Sequence, residues 1–177
     1  MNLTRNSTLS SAKTFVESLA IGWVATEALD WLSVALYERG TDADRRQENE
    51  ARDHKHAYEV AAEKICSRFG VTLSREELGI WGWRFHKSIG LGSGLLYAML
   101  RKRNPKLGAG NGLAFGALFF FLIDEVMAPL SGFSPGPRAF SWKVHTRGAI
   151  SHIAYGVAAE TAVRVIERIE HSEKSAA

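Results

Sequence analysis

Residues 107–130, LGAGNGLAFGALFFFLIDEVMAPL, constrain this chain more than any other stretch. Three glycines at four-residue spacing, Gly108, Gly112 and Gly116, lead into a dense block of Leu, Phe and Ile that ends in Asp124 and Glu125. As one α-helix these residues reach about 36 Å, enough to cross a hydrocarbon core of about 30 Å. Glycine at that spacing weakens a helix in water, but in lipid it lets two backbones approach closely. The stretch predicts a transmembrane helix packed through Gly108, Gly112 and Gly116. The rival reading is a buried helix of a soluble bundle.

Three further helical patterns supply partners for it. The first runs over residues 14–37, where Trp23, Glu27 and Trp31 share one face, with Asp30 beside them. A carboxylate inside a spanning helix faces a bundle interior or a partner. An amphipathic helix lying at the interface is the alternative for this segment. The second pattern covers 83–101, entered through Trp81, Trp83 and Phe85 and carrying Gly90 and Gly94 as another small-residue pair. The third covers 147–169, with His152, Gly156 and Glu160 on one side. The expected fold is therefore all-α: a single polytopic membrane domain over 1–177 with about four transmembrane helices, at 14–37, 83–101, 107–130 and 147–169. A charged helical insertion occupies 38–80. Within it, 44–68 reads as one exposed helix with the stripe Ala57, Ala61, Ile65 and Phe69, and Ser74 caps a short helix towards Trp81.

Mean hydropathy is −0.11, which by itself argues for water as the solvent. The average conceals the segregation of apolar residues into four blocks with most charges between them. The net charge of +3 is modest and its basic residues form no single face, so a nucleic-acid partner is not expected. One cysteine, Cys66, excludes an intrachain disulfide framework and a cysteine zinc site. The polar N-terminus has no cleavable-signal pattern, so the first apolar segment is expected to remain in the mature protein. The short basic loop Arg101–Lys106 is expected in the cytoplasm by the positive-inside rule, and four spans then leave both termini there. The expected location is a bacterial inner membrane, with the lipid bilayer as the main partner and a homo-oligomer or another membrane protein as a further one.

Tyr97, Asn104-Pro105, Gly112-Leu113-x-x-Gly116, Pro129-Leu130-x-Gly132 and Pro135 occur in that order, followed by Ser151-His152, Tyr155 and Glu160. This succession resembles the YagU family of small bacterial inner-membrane proteins, over about residues 86–168. The resemblance implies location and a helical membrane bundle, and it implies no reaction. Asp124 stands where the family pattern has a histidine, so a role of that side chain does not carry over.

Catalytic signatures are absent. Gly90-x-Gly92-x-Gly94 and Gly108-x-Gly110-x-Gly112 lack the preceding strand and Lys-Ser/Thr ending of a phosphate cradle, and no Gly-x-Ser-x-Gly elbow exists. His54 and His56, two residues apart, point to different sides of a helix and form no ligand pair. No cofactor or metal is called for. The informative set is intramembrane and polar: Glu27, Asp30, His86, Lys87, Asp124, Glu125, His152 and Glu160, at least one from every span. Buried ionisable groups either pair across helices or change protonation. A non-enzymatic structural, stress-related or interaction role is the first expectation. A small oligomeric transporter or channel built on these carboxylates and histidines is the second. A lipid-modifying enzyme, resting on His152 alone, is a distant third.

Overall fold

The computed structural model describes residues 2–176, with side chains from residue 12 onward. The all-α class is borne out: among the described residues there is no strand. The helices are α1 (Asn2–Glu38), α2 (Asp42–Ala51), α3 (Ala57–Arg68), α4 (Arg75–Arg103), α5 (Leu113–Phe120), α6 (Ala128–Leu130) and α7 (Trp142–Ala176). A 3-10 segment (Pro105–Gly112) precedes α5, and a π-helical segment (Phe121–Met127) joins α5 to α6.

Two helical segments, Ala12–Glu38 and Pro105–Leu130, are long and apolar enough to cross a membrane. Only 28% and 11% of their most apolar stretches are buried inside the protein. Large apolar side chains such as Leu113, Leu118, Phe121 and Leu122 point outward, while Lys87, Ser151, His152 and Glu160 lie inside. All five tryptophans are between 45% and 74% exposed, and four of them (Trp31, Trp81, Trp83, Trp142) lie towards the end of the bundle that carries α2 and α3.

Small residues let the long helices touch backbone to backbone. Gly22 of α1 meets Gly94 of α4, Thr26 meets Gly90, and Asp30 meets His86, a register that runs antiparallel in steps of four. Gly112 faces Gly156, Gly116 faces the His152 carbonyl and Phe120 faces Gly148, so α5 and α7 are antiparallel too. A Cβ at Gly94 or Gly112 would fall on the facing backbone, which cannot move without separating the helices. The buried core is small: Ile21, Ala25 and Leu29 of α1 with Tyr97, Phe119, Tyr155, Ala159 and Val163.

Several boundaries differ from the sequence expectation, each for a local reason. The helix expected from Leu107 begins at Leu113. Pro105 follows Asn104, and Gly110, Asn111 and Gly112 have φ of 69°, 55° and 82°. Left-handed backbone at three consecutive residues cannot continue an α-helix. Gly108 and Gly112 therefore do not share a helical face with Gly116, although both are close-contact glycines. The expected single helix over 44–68 splits, because Asp53 and His54 are left-handed (φ 50° and 58°). Its expected stripe is half correct: Ala61 is buried, whereas Ile65 and Phe69 are 41% and 82% exposed and Glu59 is buried instead. Ser74 does cap a helix, with Glu77 completing the capping box, but that helix runs on unbroken into the Gly90–Gly94 segment as α4.

Candidate functional site

Glu160 is wholly buried on α7 and receives four hydrogen bonds. Tyr97 Oη donates to it at 2.6 Å, Arg101 Nε and Nη2 at 3.0 and 3.2 Å, and Arg164 Nε at 2.7 Å. Arg164 Nη2 also donates to the Gly108 carbonyl at 3.2 Å, which ties the irregular segment into the cluster. A Cβ at Gly108 would collide with this carboxylate, so the glycine admits the ion pair. Every partner is a donor, and the carboxylate is saturated. Glu27 and Asp30, two other carboxylates of the polar set read from the sequence, lie elsewhere, on Lys87 and His86.

The other end of the bundle holds a cavity of about 830 Å³ between α1, α4, α5, the π-helical segment and α7, roofed by the α2–α3 turn and the 131–141 loop. Three histidine–carboxylate pairs line it. His86 Nε2 lies 2.7 Å from Asp30 Oδ1, and Lys87 Nζ donates to Asp30 Oδ2 at 2.9 Å and to Glu27 Oε1 at 2.5 Å. Lys87 also sits over the rings of Trp23 and Trp83, so its charge has both anionic and aromatic partners. His145 Nδ1 lies 2.6 Å from Glu125 Oε1, and its Nε2 is 3.0 Å from the Pro137 carbonyl. His152 is held between Phe119 and Phe120, with Nδ1 2.9 Å from the Gly148 carbonyl and 3.7 Å from Asp124 Oδ2.

The π-helical segment explains how adjacent acids both reach α7. Wider turns reduce the step to about 80° per residue from the 100° of an α-helix, which swings Asp124 and Glu125 towards one side. The protonation of His145 follows from its neighbours. A carboxylate and a carbonyl can only accept, so both ring nitrogens must carry protons to satisfy them. Burial opposes the charged ring, but the Glu125 carboxylate beside it prevails and its pKa lies above the ordinary histidine value.

The roof is basic. Glu48, buried on α2, receives both Arg52 and Arg147: Arg147 Nη1 donates at 2.8 Å, and the Nη2 atoms of both arginines bind the other oxygen. Arg52 Nη1 donates to His56 Nδ1 at 3.2 Å. Burial, then the charge of Arg52, lowers the His56 pKa, which keeps that ring neutral and accepting. Asp44 ties α2 to α7 through Lys143 Nζ at 2.9 Å. Hydrogen bonds from Lys143 and Thr41 lower its carboxyl to about 2. Arg52, Arg147 and His145 were absent from the sequence candidates, because isolated basic residues near apolar blocks read as solvated. The Glu48–Arg52 spacing of four residues was the one available signal.

No family model, curated protein or solved structure matches this chain. The geometry must therefore carry the functional reading. Its two halves are chemically unlike: a saturated, closed ion cluster around Glu160, and an open cavity walled by histidine–carboxylate pairs. The first can only hold helices together. The second carries exchangeable protons between its paired side chains and has room for a solute.

Proposed function

We propose that this chain is a non-enzymatic, multi-pass protein of the bacterial inner membrane, related to the YagU family, that accepts a small solute in a proton-responsive cavity. The observation that carries the reading is the convergence of Asp30–His86, Glu125–His145 and Asp124–His152 on one cavity. The outward-facing apolar residues and the exposed tryptophans support lipid as the solvent, in which four spans run antiparallel and Trp belts mark the interface. In this topology Arg101–Lys106 and both termini are cytoplasmic, while the insertion and the 131–141 loop cover the cavity on the opposite side. Tyr97 and Glu160 fill the cytoplasmic half, and Tyr155 forms part of the cavity lining above them.

A second reading, a purely structural or interaction role, is favoured by the saturated Glu160 cluster. Two measurements separate them. In a Cys66→Ser background, an impermeant thiol reagent added to intact cells is expected to modify Glu50→Cys and Ser134→Cys but not Lys102→Cys. Proteoliposomes carrying the wild-type protein are then expected to bind or pass a small solute in a pH-dependent way that Asp124→Asn alters. Release of the protein by carbonate washing, or labelling of Lys102→Cys from outside, overturns the membrane topology. A pH-independent cavity leaves only the structural role.

A further inference from the structure

Two guanidinium groups, Arg52 and Arg147, share the single carboxylate of Glu48 at the roof of the cavity. Both arginines line the cavity and Glu48 does not, so the carboxylate stands behind them. Their side chains are 21% and 16% exposed and that of Glu48 is 2% exposed. His56, which accepts from Arg52, adds no negative charge. The two charges thus share one carboxylate, with only the Phe140 and Tyr37 rings beside Arg52 and Arg147 in addition, and in a poorly solvated place an incoming anion would complete the pairing.

A second, independent observation points to the same spot. Ser151 lies one turn along α7 from Arg147, is only 2% exposed, and also lines the cavity. Its Oγ is the one buried side-chain polar atom without a hydrogen bond among the described residues. Thr146 and Thr161 on the same helix, and Ser88 on α4, each donate to the carbonyl four residues back. Ser151 forgoes that bond, which leaves its hydroxyl free to donate to a guest. Of the acids at the cavity, Glu125 is matched by His145, Asp30 by His86 and Lys87, and Asp124 faces His152 while also feeling the Arg52 charge; Asp53, beside Arg52 in the chain, lines the cavity from an exposed position. Beyond the arginines, the wall formed by Ile89, Phe119, Phe120, Ile123 and Phe133 is apolar.

We infer that the cavity binds an organic anion with an apolar body, its carboxylate or phosphate head held by Arg52, Arg147 and Ser151 Oγ. This deepens the proton-responsive cavity reading and rests on it. A volume of about 830 Å³ holds a single-chain amphiphile, whereas a two-chain lipid would have to leave its tails outside. The acid head can come from a free single-chain acid or from an anionic lipid of the membrane, and the chemistry of recognition is the same.

The test uses the full chain in an uncharged detergent, titrated calorimetrically with decanoate and, as the uncharged control, decanol. Decanoate is expected to bind saturably at one site and decanol not to. Ser151→Ala, which leaves the arginine–Glu48 cluster intact, is expected to weaken decanoate about tenfold, as loss of a hydrogen bond to a charged group does. Arg147→Met is expected to weaken it a hundredfold or more, with helicity unchanged by circular dichroism. A second arm adds phosphatidylglycerol to the micelle. Displacement of decanoate assigns the site to a lipid head, and no displacement assigns it to a free acid. Equal decanoate affinity in Ser151→Ala and wild type, or no saturable binding of decanoate or phosphatidylglycerol by the folded protein, overturns the inference. In that case, pH-dependent binding or passage of a small solute by the proteoliposomes, altered by Asp124→Asn, leaves the underlying reading standing.

Discussion

Replacing Glu160 by leucine removes the acceptor for Tyr97, Arg101 and Arg164 at one stroke. The Arg101 side chain is 12% exposed and Tyr97 is 1% exposed, so neither finds water in exchange. Breaking a buried ion pair from one side costs about 3–5 kcal/mol, and only Glu167, 3.9 Å from Arg101 Nη1, remains to offset part of the stranded Arg101 charge. For a chain of this size that corresponds to a fall in Tm on the order of 10 °C. Glu160→Gln should be worse than an isosteric swap ordinarily is. All of its partners are donors, so the new amide N–H₂ must face one of them while the single remaining oxygen serves the rest. A loss of about 2–3 kcal/mol is expected, roughly half the damage of the leucine. Thermal unfolding of the purified protein in detergent, followed at 222 nm, measures both. The double variant Glu160→Leu/Arg101→Leu should recover part of the loss, because it removes the stranded charge along with its partner. Wild-type stability in Glu160→Leu, or a double variant no better than the single, would refute the saturated-cluster account.

The 131–141 loop should loosen as pH rises. The folded pKa of His145 is raised, so the stability it contributes is fully present below the ordinary histidine value and is lost as pH climbs through the folded one. Trypsin cleavage after Arg138 should therefore accelerate with pH relative to cleavage after Lys174, and His145→Phe should abolish that dependence; a pH-independent ratio in the wild type contradicts the imidazolium assignment. Gly112→Ile and Gly116→Ile should sharply reduce the folded, detergent-extractable yield, since each side chain would enter the α7 backbone. Leu113→Ile, at a site 49% exposed, should not. Equal yields for all three would mean that α5 and α7 do not touch there.

The helical class and the nomination of polar residues were legible in the sequence, because apolar blocks and the ionisable groups inside them are local patterns. The pairings were not. Arg101 counted as a loop cation marking the cytoplasmic side, yet its guanidinium turns inward to Glu160. Glu27 and Asp30 stood out as costly carboxylates, and their neutralisation by Lys87 and His86 depends on the α1–α4 register, which no single segment encodes. The break before α5 was written in Asn104-Pro105 and in the Gly110-Asn111-Gly112 turn. It was outweighed by the regular four-residue spacing of three glycines, a pattern that also arises when close-packed backbone is not helical. The cavity roof was the least legible part, because Glu48, Arg52 and Arg147 are ordinary charges until the fold brings residues 99 apart together.

The late start of α5 also bears on the membrane setting proposed above. From Leu113 to Leu130, with a π-helical segment inside it, the apolar rod is only roughly 25 Å long. Its neighbour α1 offers an apolar stretch, Ala12–Glu38, of roughly 40 Å. In the proposed bilayer the two would present different hydrophobic lengths, the α5 rod alone being shorter than a hydrocarbon core of about 30 Å and reaching span length only with the preceding Pro105–Gly112 segment. The shorter side would draw lipid inward and the longer side would tilt, each at a cost of a fraction of a kcal/mol per ångström. In that setting short-chain lipids would gather around α5 in preference to long ones.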